Sequence, residues 1–278
     1  MAEIGVYMHT YLGEHWALVF GALCMAFFIA AFVDSIAGGG GFISTPSLLL
    51  AGIPPHLALG TNKCIVIFGT AVASANFIAH GKILWRIVAI GVVCASVGAY
   101  IGSEVVVATK ESTLKSVILI LLPLSALLAL IPRKFHAGRS DFSHTETFII
   151  APLLTLSIGF YDGYFGPGTG SFLIFGFYLV LGMDLLYASG NAKLINLGSG
   201  IGSLIAFILN GSVLYLLALP LIVCNMLGGY IGSKLALKKG VGFVRAMVIA
   251  VFALMFVSLI VQYRADLYAT IQALYQRF

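Results

Sequence analysis

Long apolar segments, separated by short polar turns, occupy most of this chain. The first covers about residues 17–37 and ends at a run of glycines, and a short segment at about 42–52 follows it. Three longer apolar segments come next, at about 57–79, 83–107 and 112–131. A helix needs roughly 20 apolar residues to cross a bilayer. The pattern therefore predicts an all-α, polytopic membrane protein.

The same order of segments returns after the longest polar stretch. The second series comprises about 147–165, a short segment ending near 181, and long segments at about 186–209, 213–237 and 241–262. The predicted organisation is an extracytoplasmic N-terminal segment, 1–16, a first transmembrane repeat, 17–131, a cytoplasmic loop, 132–146, a second repeat, 147–262, and a C-terminal tail, 263–278. Apolar residues recur at helical spacing in this tail, which predicts an amphipathic helix on the membrane surface.

Identical residues recur in a fixed register between the two series. Asp34 matches Asp162 at an offset of 128 residues. Further along, the offset is 130, and the matched pairs are Gly60 with Gly190, Lys63 with Lys193, Gly98 with Gly228 and Gly102 with Gly232. An internal repeat of this kind is typical of secondary transporters.

The distribution of charged loops predicts that the repeats are inverted. Lys82 and Arg86 lie in one loop, whereas the equivalent loop near 210–213 has no charge. The loop near 104–115 has equal numbers of acidic and basic residues, whereas its equivalent near 234–245 has only basic ones. Since basic loops remain in the cytoplasm, equivalent loops should lie on opposite faces. Both termini are then expected to face outward.

Inverted repeats need an odd number of crossings in each half. Three long helices supply three of them. The glycine-broken segment and its short partner either cross twice, which gives five crossings, or fold back as a re-entrant helix pair, which gives three. The pattern leaves both alternatives open.

Composition excludes several classes of protein. Of the 278 residues, 60% are hydrophobic and 9% charged, and the mean hydropathy is +1.07. A soluble domain has about 25% charged residues, so a soluble enzyme, a nucleic-acid-binding domain and a disordered chain are excluded. The net charge of +5 is spread through short loops, and we expect a lipid bilayer rather than nucleic acid as the partner. Neither the cysteine spacing nor any sequence motif indicates a metal, a cofactor or an enzyme.

Two glycine-rich breaks are the candidate substrate site. The first contains Gly38, Gly39, Gly40 and Gly41, and the second contains Gly166, Gly168, Thr169, Gly170 and Ser171. Four glycines in a row disfavour a helix, and the freed backbone groups must be buried in protein or line a wet cavity. A short helix starting after each break would point its N–H groups at a bound anion. The alternative interpretation is close helix packing through small residues.

Lys63 and Lys193 occupy the same register within apolar segments. A charged residue within a membrane helix costs roughly 2.5–3.5 kcal/mol, so its repetition favours a functional role. We predict that the two lysines, or their adjacent turns with Thr61, Asn62 and Asn191, attract the anion. The alternative is that each lysine extends from a helix end to the lipid headgroups.

Asp34 and Asp162 also repeat, and three roles remain open for them. They could carry a coupled proton, since burial favours the neutral carboxyl. They could instead form ion pairs with Lys63 and Lys193, or cap the broken helices.

These residues carry a resemblance to a known family. The stretch Asp34–Gly41, followed by Pro46 and Ala58–Lys63, resembles the TauE/SafE sulfite exporter family. So does Phe160–Phe172, which is most similar to the YfcA-like branch. The resemblance covers about residues 20–262. It implies an inner-membrane permease for small sulfur-containing anions, such as sulfite or organosulfonates.

The family's motif positions fall on both breaks and on both lysine turns of this chain. The second turn departs from the first, because it has Gly190-Asn191-Ala192-Lys193 in place of Gly-Thr-Asn-Lys. The two half-sites are therefore expected to bind unequally. We expect a secondary transporter that works by alternating access and is coupled to a proton or ion gradient, since no ATP-binding motif is present. An anion channel without alternating access is the alternative, and a homodimer is an open possibility.

Overall fold

Helices form nearly all of the structure, a computed structural model that describes residues 10, 12–114, 116–118, 120–121, 142–240 and 243. No strand occurs among these residues. The main helices are α1 (Trp16–Ala37), α2 (Gly41–Leu50), α3 (Pro55–Ala79), α4 (Trp85–Ala108), α5 (Glu146–Tyr164), α6 (Thr169–Val180), α7 (Leu185–Leu209) and α8 (Tyr215–Gly240). The first turn of α5, Glu146–Ile150, is a π-helix.

Within the described ranges, six helices are long and apolar enough to cross a membrane: α1, α3, α4, α5, α7 and α8. Many large apolar side chains lie exposed on them, including Leu18, Val93 and Leu209, as expected of a surface in contact with lipid. These features confirm the predicted all-α, polytopic membrane protein. The segment predicted at 241–262, the tail, and most of 112–131 and 132–146 fall outside the described residues.

Each glycine-rich break reverses the direction of the chain. α1 ends at Gly38, whose φ of 81° lies in the left-handed region that favours glycine. Gly40 then lies against Ala30 and Asp34, since a Cβ on Gly40 would be 2.6 Å from Asp34 Cβ. α2 therefore returns beside α1. In the second half, Gly176 of α6 packs in the same way against the side chain of Leu154 in α5.

The short helices α2 and α6 do not cross a bilayer by themselves. They contain 10 and 12 residues, which corresponds to about 15 and about 18 Å of helix. The hydrocarbon core is about 30 Å thick. Each short helix thus folds back as a hairpin with the long helix before it, which agrees with the re-entrant alternative. Whether each hairpin crosses or re-enters the bilayer stays a prediction.

α3 and α7 pack as antiparallel partners. The N–H of Leu214 donates to Thr61 Oγ1 at 3.0 Å, and the N–H of Leu84 donates to Asn191 Oδ1 at 2.8 Å. Leu84 follows the end of α3 and Leu214 follows the end of α7, so the start of each helix meets the end of the other. Both hydrogen bonds join positions related by the offset of 130 residues. The orientation of the repeats in a membrane stays a prediction.

Pairs of glycines let the two halves approach closely. A Cβ on Gly102 of α4 would lie 2.2 Å from the carbonyl oxygen of Phe160 in α5, and one on Gly232 of α8 would lie 2.4 Å from that of Phe32 in α1. Small residues permit such backbone contacts between membrane helices. Each hairpin is thereby held against a long helix of the opposite half.

We expect Gly102→Ala to destabilise the protein by about 1–3 kcal/mol, because the added methyl group overpacks the α4–α5 contact. Gly21→Ala is the matched control, since a Cβ there meets no atom within 4 Å. The measurement is the midpoint of thermal unfolding in detergent, monitored by the loss of the monodisperse elution peak after heating. Equal midpoints for both variants would contradict the packing role.

His80 and Asn210 test whether the repeats are inverted, because they are the exposed, repeat-equivalent residues that follow α3 and α7. We expect a membrane-impermeant maleimide to label His80→Cys from the cytoplasmic face only and Asn210→Cys from the opposite face only. The measurement compares right-side-out with inside-out vesicles. The parent chain gives the background from its four native cysteines. Labelling of both variants from one face would contradict the inverted topology.

Candidate functional site

The ends of the two helix hairpins, α1–α2 and α5–α6, pack directly against each other. The N–H of Ser171 donates to the carbonyl of Gly38 at 3.0 Å, and Ser171 Oγ donates to the carbonyl of Ala37 at 2.9 Å. The N-terminus of α6 therefore satisfies carbonyl groups at the C-terminus of α1. A Cβ on Gly38 would lie 2.2 Å from the backbone carbon of Gly170, so only glycine fits at this crossing.

A cavity lies beside the crossing, among α1, α3, α7 and the two short helices. The predicted site residues that line it are Asp34, Gly38, Gly40, Gly41, Asn62, Lys63, Asp162, Gly166, Gly168, Thr169 and Gly170. The space open to the centre of a water molecule is about 50 Å³, whereas one water needs about 10–15 Å³. The cavity suits a ligand of a few heavy atoms.

Two buried ion pairs connect the repeats reciprocally. Lys63 Nζ lies 2.7 Å from Asp162 Oδ1, and Lys193 Nζ lies 2.9 Å from Asp34 Oδ2. Each pair takes its lysine from one half of the chain and its aspartate from the other. Pairing was one of the roles left open for these residues.

The ion pairs lie nearer opposite ends of the helix bundle. Lys63 is the ninth of the 25 residues of α3, and Lys193 is the ninth of the 25 residues of α7. Because the two helices are antiparallel, the lysines lie at different heights along the bundle axis.

The two aspartates differ in their remaining partners. Asp34 Oδ1 accepts a hydrogen bond from the N–H of Gly40 at 3.3 Å, so this carboxylate also caps the start of α2. Its backbone carbonyl accepts a second hydrogen bond from Lys193. Asp162 Oδ2 instead accepts from the hydroxyl of Ser199 at 2.7 Å. The predicted proton-carrying role stays a prediction for both.

Five of the predicted substrate residues do not line the cavity: Gly39, Thr61, Ser171, Asn191 and Lys193. Thr61 and Asn191 bind the loops at the two ends of the α3–α7 pair, and Ser171 binds the end of α1. Lys193 is fully buried behind Asp34. Their assignment as substrate ligands stays a prediction.

Sequence reasoning missed part of the polar lining. Ser44 of α2 and Asn225 of α8 line the cavity, and both are at least 99% buried. Ser44 Oγ, Asn225 Oδ1 and Asn62 Oδ1 have no hydrogen-bond partner within the described part of the chain. An uncharged polar residue in an apolar segment was the available signal for Asn225. Ser199 of α7, another uncharged polar residue in an apolar segment, donates an interhelical hydrogen bond to Asp162.

The charges around the cavity balance. Two lysines and two aspartates form the ion pairs, and the N-terminal ends of α2 and α6 add partial positive charge. No group of three or more metal-ligating side chains occurs among the residues that the structure describes. The cavity can thus offer an anion backbone N–H groups, hydroxyls and one accessible ammonium group.

Lys193→Met should destabilise the protein by about 3–5 kcal/mol, since it leaves the Asp34 carboxylate without its cation in a low-dielectric interior. The double variant Lys193→Met/Asp34→Asn removes both charges and should recover most of this loss. Thermal unfolding midpoints of the two variants and the parent protein provide the measurement. If the double variant is less stable than the single one, the ion pair does not explain the effect.

Comparisons with known proteins agree with this architecture. The family described as "Sulfite exporter TauE/SafE" matches residues 23–259. "Probable membrane transporter protein ORF9" of Sinorhizobium sp is 36% identical over 230 residues, which cover 82% of this chain and 87% of that relative. "Probable membrane transporter protein YfcA" of Escherichia coli (strain K12) is 34% identical over 244 residues, covering 87% and 90%. "Probable membrane transporter protein YdhB" of Bacillus subtilis (strain 168) is 30% identical over 201 residues, covering 71% and 82%. No solved structure matches.

Proposed function

This chain belongs to the sulfite exporter TauE/SafE family, and we propose that it carries small sulfur-containing anions, such as sulfite or organosulfonates, across the inner membrane. It is a multi-pass membrane transporter rather than an enzyme. The observation that carries the proposal is the cavity at the crossing of the two hairpins, where Lys63 and two helix N-termini meet.

The chemistry of the cavity supports an anionic substrate. The glycines of both breaks expose backbone, and α2 and α6 both start at the cavity. Helix N-termini favour negative charge. The small volume favours compact oxyanions over large organic ones. Lys63, whose side chain is 8% exposed, is the cation that such an anion can reach.

Alternating access would operate through the two repeats. The reciprocal bonds at Thr61 and Asn191 close equivalent positions at the two ends of the α3–α7 pair. Opening one end while the other stays closed would expose the central cavity to one face at a time. We propose an inverted orientation with both termini outside, and coupling to a proton or ion gradient through Asp34 or Asp162.

Flux into proteoliposomes tests this function. We expect uptake of sulfite, taurine or sulfoacetate to exceed that of acetate and to respond to an imposed pH gradient. Lys63→Met/Asp162→Asn, which keeps the site electrically neutral, should reduce uptake at least about tenfold, since about 1.4 kcal/mol of lost binding has that effect. Liposomes without protein provide the background.

Three results would contradict the proposal. Equal uptake of acetate would remove the preference for sulfur-containing anions. Conductive flux that follows the membrane potential and ignores pH would favour the anion channel. Absence of any flux from a protein that elutes as a single folded species would indicate a role other than transport.

A further inference from the structure

We propose that the two repeat-equivalent ion pairs perform different tasks, which deepens and rests on the proposed function. At Lys63–Asp162, the transported anion takes the place of the Asp162 carboxylate while Asp162 takes up a proton. Lys193–Asp34 stays closed and holds the hairpins together. Anion binding is therefore coupled to protons at one pair only.

The lysines differ in whether an anion can reach them. Lys63 lines the cavity, and its side chain is 8% exposed. Lys193 does not line the cavity, and its side chain is 0% exposed. Both the carboxylate and the backbone carbonyl of Asp34 bind the Lys193 ammonium. An anion would have to displace both groups to reach Lys193.

The aspartates differ in what their release would disrupt. Asp34 caps α2 through the N–H of Gly40, so moving its carboxylate away would leave a buried donor unpaired. Asp162 is held by Lys63 and by the hydroxyl of Ser199. A hydroxyl can rotate from donor to acceptor. Ser199 can therefore accept a hydrogen bond from Asp162 once that residue is protonated.

The surroundings of Lys63 provide a place for the anion. A Cβ on Gly166 would lie 3.3 Å from Lys63 Nζ, so this ammonium lies against the second glycine break. α6 starts three residues further on, after Gly168, and no side chain caps it. An anion beside Lys63 would thus lie close to the N-terminus of α6, whose dipole favours negative charge, while the N–H groups of Thr169 and Ser171 donate to backbone carbonyls.

The residue preceding each lysine supports the same asymmetry independently. Asn62 lines the cavity, and its Oδ1 has no hydrogen-bond partner in the described structure. The repeat-equivalent residue is Ala192, which is fully buried and apolar. A polar side chain therefore stands next to the lysine at the accessible pair, Lys63–Asp162, and an apolar one stands next to the lysine at the closed pair, Lys193–Asp34.

Charge balance explains why a proton must accompany the anion. Both pairs are neutral, so an anion that entered alone would be a buried, uncompensated charge. When a hydronium ion from the solvent gives its proton to Asp162, one O–H bond of the hydronium breaks, one O–H bond of the carboxyl group forms, and water is left behind. The Lys63 ammonium is then free to neutralise one negative charge, and the net charge of the site is unchanged.

No other charged group takes part at Asp162 among the described residues. Asp34 of α1 lines the same cavity and is neutralised by Lys193 of α7. α4 packs along α5, where Ser103 donates to the carbonyl of Gly163, and Glu104 accepts from Asn210 at the helix end. α6 carries no Asp, Glu, Lys, Arg or His.

Calorimetry of the full chain in nanodiscs tests this proposal, with methanesulfonate as the probe because it stays ionised over the whole pH range used. Titrations in two buffers of different ionisation enthalpy report the protons taken up. We expect the uptake of about one proton for each anion bound. Because the linkage is reciprocal, the affinity for the anion should fall about tenfold for each unit of increase in pH, over the range in which binding protonates Asp162.

Matched variants of the two pairs separate their tasks. Asp162→Asn keeps Lys63 charged, so we expect anion binding without proton uptake and without pH dependence. Asp34→Asn, at the repeat-equivalent position, should retain the proton uptake and the dependence of anion affinity on pH (the pH slope), even if its affinity for the anion differs from that of the parent protein. Lys63→Met/Asp162→Asn should abolish binding, and Lys193→Met/Asp34→Asn should retain the slope.

The results that would overturn this proposal differ from those that would overturn transport. If the parent protein binds methanesulfonate without taking up a proton, the coupling at Asp162 is wrong, whereas the proposed anion transport is not contradicted. Loss of the pH slope in Asp34→Asn but not in Asp162→Asn would assign the proton to the other pair. A folded parent protein that neither binds nor transports any anion tested would contradict the proposed function itself.

Discussion

The structure depends on how four charges are buried in a membrane protein. A lysine without a partner in an apolar helix costs several kcal/mol, and Lys63 and Lys193 lie nine residues into long helices. Their partners come from the opposite half of the chain. This reciprocity brings α1 against Lys193 of α7 and α5 against Lys63 of α3. The crossing of the hairpins and the central cavity lie beside these ion pairs.

Glycine makes this interpenetration sterically feasible. Gly38 combines a left-handed backbone with a contact to Gly170 that no Cβ could occupy. Gly102 and Gly232 let α4 and α8 approach the hairpins of the opposite halves. These contacts agree with the packing interpretation of the glycines. The anion-site interpretation stays a prediction.

The two halves share a framework but not an identical site. The loop contacts at Thr61 and Asn191 are equivalent in geometry although the side chains differ. At the lysine turns, by contrast, Asn62 reaches the cavity and Ala192 is buried. Asp34 caps a helix, whereas Asp162 meets a hydroxyl group. Symmetry of this kind keeps the two ends of the bundle equivalent in packing, and in the proposed mechanism it lets one ion pair specialise in anion binding.

The sequence by itself determined the helical membrane fold and singled out the internal repeat and the candidate site residues, because hydropathy and charge act locally and are visible in any apolar segment. It placed Asp34, Lys63, Asp162 and Lys193 beside the breaks. Only the tertiary structure decided which aspartate meets which lysine, that the short helices fold back, and that Thr61 and Asn191 bind loops. It also brought Asn225 to the cavity. The ion pairs and loop contacts join residues 99 or more positions apart, whose distances no local pattern contains.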